Sequence, residues 1–182
     1  MATGEEDLPD FVRGSALTEN AFRMAWAAHA RPESETEIAH PVAVAELLSE
    51  QGFDDTVVAA ALLHDTVEDT TLTSEQIEEY FGPEIATVVA EVTEDPKIEP
   101  YTARKAEARS RVMRDRRAAA IYAADKLANT RDLLDAGEQV RGERLDHYIK
   151  TLRLLSEGRP DLPFLAELSE ELAELVDRET TG

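Results

Sequence analysis

Helix-length segments separated by glycine and proline make up most of this chain and constrain its fold more than any other feature. Most of them carry apolar residues at intervals of three and four, the spacing that lines one face of an α-helix. Only residues 70–73, TTLT, favour an extended conformation. The pattern predicts an all-α, single-domain helical bundle. The predicted helical segments are 17–30, 39–52, 54–70, 73–82, 83–95, 116–137, 139–158 and 161–179.

Capping residues mark several of the predicted helix ends. The candidate N-caps are Thr18, the pair Asp54 and Asp55, and either Thr73 or Ser74, because their side-chain oxygens can accept a hydrogen bond from a free N–H of the first turn. Gly52 and Gly137 are the predicted stops, since glycine readily adopts the left-handed conformation that ends many helices.

The composition excludes several classes of protein. A chain of 182 residues suits one domain with one sizeable core. It has no cysteine, so a bound metal must be held by nitrogen and oxygen. The formal net charge of −20 argues against a nucleic-acid polymer as partner. Because no apolar stretch could span a bilayer and the N-terminus lacks a secretory pattern, we expect a cytoplasmic protein without a membrane partner.

Three regions are predicted along the chain. Residues 1–16 form an N-terminal extension, 17–157 the main helical domain and 158–182 a C-terminal helix. The last helix carries more apolar side chains than an isolated exposed helix tolerates, so it either packs on the bundle or binds a second subunit of a homo-oligomer. These side chains are Phe164, Leu165, Leu168, Leu172 and Leu175.

The sequence ALLHDTVEDT joins an apolar helix to a cluster of ionisable side chains. His64 and Glu68 lie four residues apart on one helical face, as do Asp65 and Asp69. The neighbours His64 and Asp65 can bind one ion together only if the helix ends or distorts there, or if the ion sits at the edge between them. The β-branched residue that follows and the acidic pair make a helix end plausible.

A metal ion would need further ligands from other helices. His40 stands at the start of an apolar helix, and Asp125 lies in an apolar run where a lone carboxylate is costly without a cation. With His64 and Asp65 they supply two imidazoles and two carboxylates, a set that suits one ion such as Mn²⁺. The alternative for each is structural: a buried histidine can be a satisfied core residue, and Asp125 can face solvent.

Basic residues are concentrated in one part of this acidic chain. Seven of the 19 lysine and arginine residues fall within 104–117. The segment is either a solvated helical face or a local binding surface for a small phosphorylated ligand. For Arg109–Arg117 the solvated face is favoured, and His147 is expected at the surface.

Four motifs, ALLHDTVEDT, AHPVAVAELL, FGPEIATVVAEVTED and AADKLANTRDL, together resemble the HD-domain hydrolases of the RelA/SpoT group. The chain is most similar to the single-domain small alarmone hydrolases of that group. The resemblance implies an all-helical fold that binds one Mn²⁺ ion and removes the 3′-pyrophosphate from guanosine tetra- or pentaphosphate (ppGpp or pppGpp). The expected partner is then a small phosphorylated nucleotide.

The resemblance also implies a role for individual residues. The implied catalytic pair is Glu68 and Asp69, and a carboxylate one turn beyond His64 is suited to deprotonating a metal-bound water. Cationic donors would offset the charge that develops on phosphoryl oxygens. The implied metal ligands are His40, His64, Asp65 and Asp125. The candidate substrate-binding residues are Asn129, Arg104, Lys105, Arg144 and Tyr148, with Lys126 and Arg31 as further cations.

One segment departs from the family pattern and leaves the substrate open. Residues 30–39, ARPESETEIA, are acidic where the family has a basic segment that helps to hold the nucleotide. One alternative is therefore an HD-superfamily phosphatase or pyrophosphatase acting on another phosphorylated nucleotide or cofactor. A second is a non-catalytic nucleotide sensor, although the pair Glu68 and Asp69 argues against it, since a sensor has little need of a base beside the ion.

Overall fold

The computed structural model describes residues 8–29, 38–138, 140 and 142–181. These residues form helices and short connections, with no strand among them, so the all-α prediction is confirmed. They belong to two compact units, Met1–Thr93 and Glu94–Gly182, which we call the N-terminal unit and the C-terminal unit. Within the described ranges, no helix is both long enough and apolar enough to cross a membrane.

The N-terminal unit begins with a short 3-10 helix, Asp10–Val12, which is followed by helices α1 to α5. The bounds of these helices are α1 Ala16–His29, α2 Ala39–Glu50, α3 Asp55–Leu63, α4 Thr66–Asp69 and α5 Ser74–Val92.

Helix α3 is the central element of the N-terminal unit. It contacts α1, α2 and α5, and every residue of 57–63 is buried. A helix covered on all sides must be apolar all round, which explains the uninterrupted apolar run before His64. Asp54 fixes its start as predicted, because its side chain accepts a hydrogen bond from the Val57 N–H at 3.1 Å.

The other two predicted N-caps have different outcomes. Thr73 is confirmed as part of a capping box, in which its hydroxyl accepts from the Gln76 N–H at 3.3 Å and the Gln76 side chain accepts from the Thr73 N–H at 3.0 Å. The prediction for Thr18 is wrong, because α1 begins at Ala16. The buried Thr18 hydroxyl instead donates to the carbonyl of Val12 at 2.8 Å and ties the 3-10 helix to α1.

Two glycines explain how helices end or bend in this unit. Gly52 follows α2 with φ 74°, as expected of a helix stop. Gly82 lies inside α5 with φ 82° and ψ 169°, and Pro83 follows it. Because proline has no N–H for the helical ladder, the two predicted segments 73–82 and 83–95 form one element with a kink between them.

The C-terminal unit is organised around helix α7, which contacts α6, α8 and α9. All residues of 118–128 are buried, and α7 ends at Gly137, whose left-handed φ of 64° confirms the predicted stop. The prediction that the next helix begins at residue 139 is wrong, because Gly142, with φ 62° and ψ −134°, lies outside the helical region. The bounds are α6 Tyr101–Val112, α7 Arg116–Ala136, α8 Glu143–Gly158 and α9 Leu165–Thr181.

Helix α9 packs within its own unit. Its Leu172 and Leu175 are buried in a core cluster that includes Leu133 of α7 and Tyr148 of α8. These contacts account for the apolar face of this helix. Binding of a second subunit and the region boundaries at residues 16 and 157 stay predictions.

Candidate active site

A two-residue turn, His64 and Asp65, separates helix α3 from helix α4. Helix α3 ends at Leu63 and α4 begins at Thr66. The helix end that the sequence made plausible is therefore present, and the predicted segment 54–70 is two helices instead of one. The fully buried Thr66 side chain stabilises this junction, because its hydroxyl donates to the Leu63 carbonyl at 2.7 Å. That bond satisfies a carbonyl that the interrupted helix would otherwise leave exposed to the apolar core.

His64 is held in one orientation by the backbone. Its Nδ1 lies 2.7 Å from the Ala61 carbonyl oxygen, which can only accept a hydrogen bond. We therefore assign the proton of the neutral ring to Nδ1, which leaves a lone pair on Nε2. Nε2 lies 2.9 Å from Oδ1 of Asp65. Two electron-pair donors this close repel each other unless a proton or a metal ion lies between them.

His40 completes a three-residue cluster. Its Nε2 lies 3.9 Å from Oδ2 of Asp65, and its ring centroid is 5.6 Å from that of His64. One ligand atom from each of the three residues lies within 4.8 Å of the others. Two imidazoles and a carboxylate, partly shielded from water, match the ligand preference of a divalent cation. The residues of the N-terminal unit therefore fit a metal ion.

The acidic pair predicted to be catalytic lies just beyond this cluster in the chain. Glu68 and Asp69 belong to α4 and are both exposed. Their backbone N–H groups donate to the Asp65 carbonyl at 3.2 and 2.9 Å, which fixes the turn that carries them. Their catalytic role stays a prediction.

Asp125, the fourth predicted ligand, belongs to α7 in the C-terminal unit and is buried. Its Oδ2 pairs with the ammonium group of Lys126, and its Oδ1 accepts from the Asn129 side-chain amide at 2.6 Å. A carboxylate engaged on both oxygens is held in a fixed orientation, which rules out the solvent-facing alternative. Its place in the ligand set stays a prediction.

Lys126 is a buried cation that stays charged. Burial opposes the charged form, but the Asp125 carboxylate outweighs that effect, so the pKa of Lys126 is raised above its ordinary value. Its Nζ lies 4.7 Å from the ring centroid of Tyr122 and 5.8 Å from that of Tyr148. Aromatic faces stabilise a cation at such distances.

Arg104 and Lys105 share both a carboxylate and an aromatic ring. Arg104 donates to Glu94 through Nε at 3.1 Å, and the Lys105 ammonium pairs with the same carboxylate. Both cations also lie near Tyr101, at 5.7 and 5.3 Å from its ring centroid. Burial raises the pKa of the Tyr101 hydroxyl, so Tyr101 stays neutral beside them.

Arg144 and Tyr148, four residues apart on α8, are in contact as their spacing predicts. The exposed guanidinium carbon of Arg144 lies 5.9 Å from the centroid of the buried Tyr148 ring. The remaining candidate for substrate binding, Arg31, lies outside the described residues.

A family model described as HD domain matches residues 19–151. The chain belongs to the HD domain family. Membership implies a bound divalent metal, for which His40, His64 and Asp65 are candidate ligands.

Relatives of this HD domain include named enzymes of guanosine phosphate metabolism. The guanosine-3′,5′-bis(diphosphate) 3′-pyrophosphohydrolase MESH1 of Xenopus tropicalis is 41% identical over 104 residues, which make up 56% of this chain and 58% of that protein. The GTP pyrophosphokinase rsh of Brucella suis biovar 1 is 31% identical over 169 residues, 87% of this chain and 22% of that protein. The chain thus matches less than two thirds of the length of these curated relatives.

The similarity to one solved structure extends over nearly the whole of this chain. That structure belongs to a metazoan orthologue of SpoT that hydrolyses ppGpp, and it is 29% identical, with a TM-score of 0.69. The match covers 95% of this chain and 98% of that chain. The resemblance inferred from the four motifs is confirmed.

The solvent exposure of His147, in the C-terminal unit, was predicted wrongly from the sequence. His147 was expected at the surface but is 3% exposed. Its Nδ1 lies 2.6 Å from Nη1 of Arg109, and its Nε2 lies 3.5 Å from the Tyr122 hydroxyl. Spacing could have indicated this, since His147, Thr151 and Leu155 recur every four residues on the buried face of α8.

Proposed function

We propose that this chain is a metal-dependent hydrolase that removes the 3′-pyrophosphate from ppGpp or pppGpp. The observation that supports this most directly is the cluster of His40, His64 and Asp65 at the end of α3, with Glu68 and Asp69 following in α4. The names of the frog relative and the SpoT orthologue supply the substrate class.

The proposed cofactor is one Mn²⁺ ion held by His40, His64, Asp65 and Asp125. When bound, this cation would acidify a water molecule and offset negative charge on the phosphoryl group. The ring of His64 is oriented for this by its bond to the Ala61 carbonyl, in the way that a backbone acceptor commonly fixes a metal-binding histidine.

Glu68 is the proposed general base. An exposed carboxylate one turn after His64 can take a proton from an attacking water, and Asp69 is its proposed partner in orienting that water. Both stand on a turn whose N–H groups are bound to the Asp65 carbonyl, so the base and a metal ligand share one short, fixed piece of backbone.

The cations of the C-terminal unit are proposed to bind the phosphates. Arg144 and Lys126 lie against the Tyr148 ring, and Arg104 and Lys105 lie near Tyr101. The neutral rings stabilise the charge of these cations. Arg104 and Lys105 also share the Glu94 carboxylate and Lys126 pairs with Asp125, so a bound phosphate would compete with these carboxylates for the cations. Asn129 orients Asp125 and is proposed to place the substrate beside it, and Arg31 is proposed as a further phosphate contact from its sequence position.

The product distinguishes this function from its alternatives. Mn²⁺-loaded protein is incubated with ppGpp, pppGpp and a panel of 2′-, 3′- and 5′-phosphorylated nucleotides, and products are resolved by chromatography and phosphorus NMR. Release of pyrophosphate from the two alarmones alone is expected. Release of orthophosphate from another nucleotide would favour the phosphatase, and inactivity on the whole panel with retained nucleotide binding would favour the sensor.

A further inference from the structure

Arg109 differs from neighbouring cations in the partner it has. Arg104, Arg111 and Arg117 each pair with a carboxylate, at distances of 3.1, 3.3 and 2.8 Å. In the described part of the chain, Arg109 is hydrogen-bonded to the ring of His147 instead, with 2.6 Å between Nη1 and Nδ1. In a chain with 39 acidic residues, one arginine has thus been placed against a neutral group.

The chemistry of this contact is unambiguous. A guanidinium group is always charged and only donates hydrogen bonds, so Nδ1 of His147 must be the acceptor and the ring proton lies on Nε2. Burial, followed by the positive charges of Lys126, Lys105 and Arg109, lowers the pKa of His147 to about 3. His147 is therefore a neutral acceptor near neutral pH.

His147 also connects three helices of the C-terminal unit. From α8, it contacts Arg109 of α6 and the hydroxyl of Tyr122 of α7, whose ring carries the Lys126 ammonium at 4.7 Å. Thr151, one turn along α8, donates to the His147 carbonyl at 2.8 Å. Burying polar groups costs free energy unless they are hydrogen-bonded. Here the buried hydrogen bonds around His147 hold the guanidinium of Arg109 in a fixed position near other cations.

A guanidinium bound to a neutral acceptor is suited to an anion. Contact with a carboxylate would cancel most of its charge, whereas contact with His147 uses one of five N–H donors and leaves the full charge. Phosphate oxygens match the remaining donors in geometry and in charge. Lys105 and Lys126 also act electrostatically on His147, although Lys105 is paired with Glu94 and Lys126 with Asp125.

We propose that Arg109 binds a phosphate group of the nucleotide, and that buried His147 is the positioning residue that holds its guanidinium in place. The inference rests on the proposed hydrolase function. It gives Arg109 a role in phosphate binding, whereas the sequence analysis favoured a solvated helical face for this residue.

The first test replaces the cation. Arg109→Gln is expected to raise the KM for ppGpp roughly tenfold to hundredfold, the usual effect of losing a hydrogen bond to a charged group, with kcat changed less than about threefold. Arg114→Gln is the control, since it removes the same charge from an exposed position nearby. An unchanged KM for Arg109→Gln, or an equal rise in the control, overturns the proposal.

The second test separates positioning from a structural role. An asparagine side chain in place of the imidazole would retain an oxygen acceptor near the place of Nδ1. His147→Asn should therefore keep KM within about threefold of wild type, whereas His147→Leu should raise it as Arg109→Gln does. Adding His147→Leu to Arg109→Gln should raise KM no further, because both changes remove one interaction. A multiplicative rise in KM in the double variant would show that His147 does not act through Arg109.

A binding measurement separates this proposal from the function on which it rests. Calorimetric titration of guanosine 5′-diphosphate into Mn²⁺-loaded wild type and Arg109→Gln should show roughly a tenfold or greater loss of affinity in the variant. One outcome is that wild type binds guanosine 5′-diphosphate more tightly than Arg109→Gln does but does not hydrolyse ppGpp. That result would disprove the proposed hydrolase function and support the phosphate contact. The opposite outcome is that wild type hydrolyses ppGpp and that wild type and Arg109→Gln have equal affinities and equal KM values. That result would support the hydrolase function and disprove the phosphate contact.

Discussion

His64 shows how a single hydrogen bond prepares a side chain for a metal. Its Nδ1 donates to the Ala61 carbonyl, so Nε2 presents a lone pair towards Asp65, 2.9 Å away. The sequence could indicate this pair because a histidine and an aspartate at the end of an apolar helix have few structural uses. It could not reveal the tautomer, which depends on a backbone atom three residues earlier.

Replacing Glu68 tests the proposed base. Glu68→Gln keeps the size of the side chain but cannot accept a proton, so kcat for ppGpp should fall by roughly 10²- to 10⁴-fold with Mn²⁺ affinity unchanged. Steady-state kinetics and calorimetry with Mn²⁺ measure the two effects. Glu79→Gln, an exposed neutralisation in α5, is the control and should retain full activity. Normal turnover in Glu68→Gln would show that another group is the base.

The buried His147 predicts a pH dependence of stability. Its pKa is about 3 in the folded protein against an ordinary value of 6.5, so below pH 6.5 the unfolded chain binds a proton that the folded chain does not. The contribution of this residue to stability is therefore complete above pH 6.5 and is lost as the pH falls from 6.5 towards 3.

The variant His147→Asn isolates this effect, because asparagine does not titrate. Urea denaturation between about pH 7 and pH 4 should show a smaller loss of unfolding free energy in the variant than in wild type. Parallel curves for the two proteins would mean that folding does not lower the pKa of His147. The sequence analysis expected His147 at the surface, although the four-residue spacing of His147, Thr151 and Leu155 indicates a buried face of α8.

At the scale of elements, His64 and Asp65 are the two residues of the junction between α3 and α4. Both keep right-handed helical dihedrals, and their side chains meet at 2.9 Å between Nε2 and Oδ1. The apolar lead-in and the caps of α3 and α5 could be predicted, since each depends on residues within one turn. Thr18 and the start of α8 could not, because a contact with the preceding 3-10 helix and a left-handed glycine decide them.

Thr66→Val should damage this junction without changing its volume. Loss of the hydroxyl leaves the buried Leu63 carbonyl without its donor, at a cost of about 1 to 3 kcal/mol in unfolding free energy and with weaker Mn²⁺ binding. Thr87→Val is the matched control, since its exposed hydroxyl donates to the Pro83 carbonyl at 2.6 Å and water can replace it. Equal effects in the two variants, measured by urea denaturation, would contradict this account of the junction.

At the scale of the whole molecule, the net charge could be read from the sequence, but the placement of the charges could not. The net charge of −20 argued against nucleic-acid polymers as partners. The C-terminal unit nevertheless holds Arg104, Lys105, Arg109 and Lys126 near neutral aromatic or imidazole rings, with Glu94 and Asp125 as carboxylate partners of three of them. Composition alone cannot reveal such a cluster, because it depends on which faces of α6, α7 and α8 meet.

Metal binding should stabilise the whole molecule. A ligand at about 100 times its Kd adds about 2.7 kcal/mol if it binds only the folded state, or roughly 5 to 10 °C in Tm for a chain of this size. Mn²⁺ should produce that rise in wild type, and a chelator should reverse it. His40→Gln, which lacks the imidazole at a partly exposed position, should show a much smaller rise. An equal rise in both proteins would place the ion elsewhere.

The central claim is that His40, His64 and Asp65 hold the metal ion. Crystals grown with Mn²⁺ and measured at the manganese absorption edge test it most directly. We predict one strong anomalous peak in contact with Nε2 of His64 and with the Asp65 carboxylate, and with His40 as a third ligand. A peak at another site, or these three side chains turned away from one another with no peak among them, would contradict the account.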